Sequence, residues 1–173
     1  MNKNEELLPY YEKARETLDY NSSTGELTWA IKRSNRVKRG DVAGYIDHYG
    51  YRILSATIDG VEKALKAHRL VWFIENGYLP SLSIDHIDMN KSNNNISNLR
   101  EATSKQQNQS KKKYSNNTSG YKGVSKSGKK WIAKTRYNSA ELYLGTFNTL
   151  EEASEAYQAK AKELHGEFYA EEA

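Results

Sequence analysis

Cysteine is absent from the 173-residue chain, which removes disulfides and thiolate zinc sites from consideration. Long apolar runs are missing as well, so nothing is expected to span a membrane. The first residues, Met1 to Glu6, are polar and charged and do not resemble a signal peptide. A cytoplasmic protein is the simplest expectation. A third shortage is local. Between Ala102 and Ala140 there is no acidic residue, yet the window holds Lys105, Lys111, Lys112, Lys113, Lys122, Lys126, Lys129, Lys130, Lys134 and Arg136. A second basic cluster lies upstream at Lys32, Arg33, Arg36, Lys38 and Arg39. The net charge of +4 says little, but this concentration suits a polyanionic partner.

What is present reads as two parts. Residues 5–18 have the spacing of a short amphipathic helix, followed by a turn from Tyr20 to Gly25 and a strand over Glu26–Trp29. Strand signals around Tyr49–Leu54 and Ala56–Ile58 precede Asp59-Gly60, a hairpin turn. His68 to Asn76 reads as a mostly buried helix stopped by Gly77 and Pro80. Ser83–Ile87 is a short strand, Asp88–Asn95 a polar loop, and Ile96–Gln109 a further helix. Residues 111–119 form a basic linker. Strands over 121–125, 130–137 and 142–147 follow, with turns at Ser127-Gly128 and Asn138-Ser139. Thr149-Leu-Glu-Glu152 fits a capping box that opens a last helix with an Ala153, Ala156, Tyr157, Ala161, Leu164 stripe.

The chemistry concentrates in Ser83 to Arg100. Phosphodiester hydrolysis needs a water deprotonated near phosphorus, a task suited to histidine, and charge neutralised on the leaving oxygen, a task suited to a hard divalent cation. Asp85 and His86 are adjacent, so on a strand their side chains leave opposite faces. They can serve one phosphate only if the strand twists or ends there.

His68-Arg-Leu-Val-Trp72, Ile84-Asp-His-Ile-Asp88 with Asn90, Lys91, Asn93 and Asn94, and Ile96-Ser-Asn-Leu-Arg100 with Ala102-Thr103 resemble the HNH endonucleases of phages and mobile introns. Tyr20, Gly25, Leu27 and Trp29 extend the resemblance upstream, over roughly residues 20–109. It implies an α+β chain with a ββα-metal core, a hairpin and helix around one ion. In this pattern His86 is the general base, Asp85 ligates one Mg²⁺ or Mn²⁺ per active site, and Asn98 ties the loop and helps orient His86. The last ligand is open between Gln107, which has the usual spacing, and Asn108, the favoured residue one position on. Met89 stands where family members carry glycine. His68 recurs in the pattern as a core residue or a phosphate neighbour, and Arg100 could meet a phosphate or an ion-pair partner.

The C-terminal segments Ser119-Gly-Tyr-Lys-Gly-Val124, Lys130 to Arg136, Leu144-Gly-Thr-Phe147 and Glu151 to Tyr157 resemble the APETALA2-type DNA-binding domain, which also occurs in phage endonucleases. That likeness implies a three-stranded antiparallel sheet packed on one helix, with Lys122, Lys126, Lys130, Lys134, Arg136 and Tyr143 toward duplex DNA. The expected layout is 1–66 for the N-terminal helix and sheet, 67–110 for the nuclease core, 111–119 for the linker and 120–170 for the DNA-binding domain. The expected function is a homing-type, metal-dependent endonuclease. It would act on double-stranded DNA in a bacterial host's cytoplasm without a further small-molecule cofactor. One site cuts one strand, so a monomer should nick, and a double-strand break calls for a homodimer or a second event. The rival reading is a DNA-binding regulator with a decayed nuclease core.

Overall fold

A computed structural model of the chain describes residues 3–109 and 117–169, and these divide into two compact units at the boundary between Thr103 and Ser104. The expected linker therefore lies mostly outside the described residues.

The first unit opens with α1 (Lys3–Arg15), which buries Tyr11 and Ala14. The helix ends three residues earlier than its apolar spacing suggested. Leu18 instead begins β1 (Leu18–Asn21), which pairs antiparallel with β2 (Glu26–Trp29). Tyr20, expected in a turn, is thus a strand residue. Gly25 closes this hairpin with φ +75, a conformation that glycine alone adopts without strain. A three-stranded sheet follows in the order β3 (Tyr45–Ile46), β4 (Arg52–Ile58), β5 (Val61–Lys66), with Asp59-Gly60 as the expected tight turn. The two strand signals flanking Ser55 merge into β4, because its pairing with β5 runs unbroken from Ile53 to Ile58.

Helix α2 (Ala67–Asn76) buries Ala67, His68, Leu70, Val71 and Phe73, and Gly77 ends it in the left-handed region with its N–H on the Phe73 carbonyl. Next comes β6 (Ser83–His86). The expected helix over 96–109 is replaced by three pieces: a 3₁₀ turn at Ile96–Asn98, β7 (Leu99–Ala102) and α3 (Ser104–Gln109). Strand pairing overrides local helical spacing here. β7 lies antiparallel to β6 with Asp85 opposite Arg100 and His86 opposite Leu99, while Leu99 and Ala102 are buried. One core runs through this unit, built from Tyr11, Leu27, Leu54, Leu65, Leu70, Ile84 and Leu99 among others.

The second unit contains α3 and the antiparallel sheet β10-β9-β8, formed by β8 (Val124–Ser127), β9 (Lys130–Tyr137) and β10 (Ala140–Phe147). The first strand begins at Val124 rather than Tyr121. Asn138 and Ser139 both have positive φ, matching a tight hairpin turn. Helix α4 (Leu150–His165) starts at the expected capping box, with Thr149 Oγ1 accepting from the Glu152 N–H and Glu152 reaching back to the Thr149 N–H. Its Ala153, Tyr157 and Ala161 bury against Val124 and Ala133. A Cβ at Gly123 would sit 2.1 Å from the Tyr157 ring, so that position requires glycine.

Candidate active site

Strand β6 alternates as expected. Ile84 and His86 face the interior, whereas Ser83 is exposed and Asp85 half-buried. His86 is only 5% exposed, and its Nε2 lies 3.2 Å from Asn94 Oδ1. The His68 ring meets it edge-on at 5.2 Å between centroids, and Tyr51 stands 5.3 Å from His68 and 6.1 Å from His86. Burial pushes the His86 imidazole below its ordinary pKa, against the bond to Asn94 and the nearby charges of Asp88 and Asp85. The same cause takes His68 down to about 3, with help from His86, Lys66 and Arg69. Among the described residues, the buried His68 Nδ1 has no hydrogen-bond partner. Both rings are therefore neutral at physiological pH, which is the state a proton acceptor requires.

The carboxylate of Asp85 receives Arg100 Nε at 3.1 Å and Nη2 at 2.9 Å. Both side chains are 14% exposed. Of the two roles considered for Arg100, the structure displays the ion pair. Asp85 and His86 leave opposite sides of the strand, yet the carboxylate still acts electrostatically on His86 and on Tyr51.

The loop from Ile87 to Asn95 is held by its own side chains. Asn98, 8% exposed, accepts the Asp88 N–H on Oδ1 at 2.9 Å. Its Nδ2 donates to Asp88 Oδ1 and to the Asn93 carbonyl, each at 2.9 Å. Burial alone would raise the Asp88 pKa. Hydrogen bonds from Asn93, the Asn90 N–H and Asn98 outweigh it and hold the carboxyl below its usual range. Met89 adopts φ +60, which explains why glycine suits this position and why methionine is strained there, by about 1 kcal/mol or more. The β1–β2 hairpin supports the far end of the loop. Tyr20 Oη accepts the Ile96 N–H at 3.1 Å, and Asn95 Nδ2 donates to the Ser22 carbonyl at 2.9 Å. A Cβ on Gly25 would fall 2.2 Å from Asn95 N.

Asn94 is the site residue that sequence reasoning passed over. It is 2% exposed and carries the side-chain contact to His86, while Asn98 ties the loop rather than the ring. Five asparagines crowd the loop and the turn after it, and linear order does not say which of them is buried.

Among the described residues, no group of three or more His, Cys, Asp and Glu side chains could hold an ion. The donor chemistry instead offers the carboxylate of Asp85, since that of Asp88 is taken up by Asn90, Asn93 and Asn98. That suits a hard cation that completes its shell with amide, water and substrate phosphate oxygens. Gln107 and Asn108 lie on α3, which groups with the second unit.

In the second unit, Trp131, Ala133 and Thr135 of β9 face α4 or its margins, and Lys130, Lys134 and Arg136 are exposed on the other side. Lys134 pairs with Glu141 at 2.8 Å, and Tyr143 is 60% exposed with its hydroxyl 2.6 Å from Thr146 Oγ1. Lys126 places its ammonium 5.8 Å from the Trp131 ring centroid. Lys122 is half-buried and acts on His165 rather than lying on the open face. No helix among the described residues is long and apolar enough to cross a membrane.

A family model described as HNH endonuclease matches residues 65–109. The chain is 39% identical over 108 residues to an uncharacterized HNH endonuclease of Acanthamoeba polyphaga mimivirus, covering 61% of this chain and 56% of that protein. It is 35% identical over 109 residues to protein 3.8 of Escherichia phage T7, covering 61% of this chain and 89% of that protein. Among solved structures, the HNH homing endonuclease I-HmuI aligns at 32% identity with a TM-score of 0.37, over 51% of this chain and 47% of that one. The chain thus spans little more than half the length of the mimivirus relative.

Proposed function

Because this chain belongs to the HNH endonuclease family, we propose that it is a metal-dependent, homing-type endonuclease that hydrolyses one phosphodiester of duplex DNA with His86 as general base. The observation that carries this reading is the β6–β7 hairpin. It sets a buried, neutral imidazole between Asn94 and His68, beside a loop pinned by Asn98. His86 takes the proton from the attacking water, and burial keeps the ring unprotonated for that purpose. Asn98 acts through the loop it ties and not on substrate. Asp85 would hold a Mg²⁺ or Mn²⁺ ion, one per site, with Asn108 (or Gln107) assigned as a further ligand on motif spacing alone. Such an ion, when bound, neutralises charge on the leaving oxygen. Arg100 holds the Asp85 carboxylate in place, so an ion held by Asp85 would share that carboxylate with the guanidinium.

Lys130, Lys134, Arg136 and Tyr143 would bind duplex DNA in the manner of an APETALA2-type sheet, with Lys122 and Lys126 at the margin, since Lys126 stands opposite Trp131 and shares its face of the sheet. Phosphate contacts there supply affinity, and base-edge contacts from Lys134 or Arg136 supply selectivity. A monomer nicks. Double-strand breakage follows from a homodimer or a second binding event. The relatives named above are viral, which suits action in a host cytoplasm.

The test is incubation with supercoiled plasmid and long linear duplex in Mg²⁺ or Mn²⁺, then in EDTA, for the wild type and His86→Ala. Metal-dependent nicking that disappears in the variant while DNA binding persists is the expected result. Equal cleavage by the variant removes His86 from its role.

A further inference from the structure

Two lysines, Lys66 and the motif residue Lys91, to which no role has been assigned above, converge on one aromatic ring beside the candidate site. Lys66, the last residue of β5, places Nζ 4.7 Å from the Tyr51 ring centroid. Lys91, on the loop after β6, places Nζ 4.8 Å from the same centroid and donates to the Tyr49 carbonyl at 3.1 Å. The two positions are far apart in sequence, so only the fold brings them together. Both are exposed, and among the described residues neither ammonium has a carboxylate partner within ion-pair distance. Since both charges lie within 5 Å of one point, they are less than about 10 Å apart, the span of one or two neighbouring backbone phosphates. The Tyr51 centroid is itself 6.1 Å from that of His86. Each ammonium therefore lies within about 11 Å of the His86 ring, a reach of one or two nucleotides. Lys66 also precedes α2 without a capping side chain, and the first turn of that helix has no acidic residue. The positive end of the helix dipole adds to the same field.

Two unneutralised cations held on a ring by cation–π contact cost little to order further when an anion arrives. From this geometry we infer that Lys66 and Lys91, braced on Tyr51, form a phosphate bracket that seats the DNA backbone next to His86. This rests on the nuclease reading for its place in catalysis, but its binding role is measurable without cleavage. The bracket grips phosphate and reads no base, so it sets the position of the strand and not the choice of sequence.

The test uses the full chain and a 500-base-pair linear duplex without divalent metal. Affinity is measured against salt for the wild type, Lys66→Gln, Lys91→Gln and the double variant. Each replacement should lower the slope of log affinity against log salt by about 0.9, and the pair by about twice that. Lys66→Arg with Lys91→Arg should restore it. In plasmid nicking with Mg²⁺, the double glutamine variant should raise KM at least tenfold, with kcat changed less than threefold. An unchanged slope in the double variant, with only a lower Tm, would mean that the lysines merely stack on Tyr51, and the bracket fails. Loss of slope that arginine does not restore overturns it equally. If the glutamine variants do not fold, Tyr51→Leu provides the second measurement. Releasing both ammoniums from their brace should raise KM, and an unchanged KM in a folded protein counts against the bracket. The nuclease reading is judged separately by His86→Ala, so the two can fall independently.

Discussion

Replacing His68 by leucine should remove much of the acid sensitivity of the first unit. The native ring is 4% exposed, has a buried Nδ1 that finds no partner among the described residues, and accepts a proton only near pH 3. In the unfolded chain it does so near 6.5. Between those values the unfolded state binds more protons than the native state. Stability is therefore full above about pH 6.5 and is lost as pH falls toward 3. At pH 5 the loss due to this one group is about 2 kcal/mol, and that figure hardly changes if the native value lies a unit higher. Leucine has nearly the volume of histidine and no nitrogen to leave unpaired, so the fold should tolerate it. The assay is urea unfolding at pH 7.5 and pH 5.0 in a Trp131→Phe background, where Trp29 and Trp72 report on the first unit alone. The wild type should lose at least 2 kcal/mol between the two conditions, since His86 titrates in the same direction. His68→Leu should lose about 2 kcal/mol less than the wild type. A leucine variant with the full wild-type pH dependence would show that His68 is not the buried neutral group described here.

Gly25→Ala should be strongly destabilising, because the new Cβ meets Asn95 N at 2.2 Å in a φ +75 backbone. A loss of about 3 kcal/mol or more is expected, with a fall in cleavage from the displaced loop, and a Tm within a degree of wild type contradicts the packing argument. Lys134→Ala and Arg136→Ala should each lower the salt slope of DNA affinity by about 0.9. Glu141→Gln should raise affinity by releasing Lys134 from its 2.8 Å pair, and an unaltered affinity on all three would remove the β9 face from the DNA interface.

The amino-acid order alone made much of this molecule legible. The capping box at Thr149, the turns at Asp59-Gly60 and Asn138-Ser139, and the stop at Gly77 are local signals whose geometry is settled within a few residues. The alternation along β9 likewise assigns its two faces. The motif around Asp85 and His86 pointed to the candidate site through residue type and spacing, and the fold brings His86 together with His68, Tyr51 and Asn94. The helical spacing over 96–102 misled, because pairing of β7 with β6 buries Leu99 and satisfies backbone groups that a helix would have satisfied locally. Long-range contact also decided which asparagine touches His86, how Arg100 is used, and that Tyr20 and Gly25 meet a loop about 70 residues away. The meeting of Lys66 and Lys91 on Tyr51 is of the same kind. Periodicity reports which side of an element is apolar, but the partner across the core is fixed only when the chain closes on itself and burial selects one arrangement.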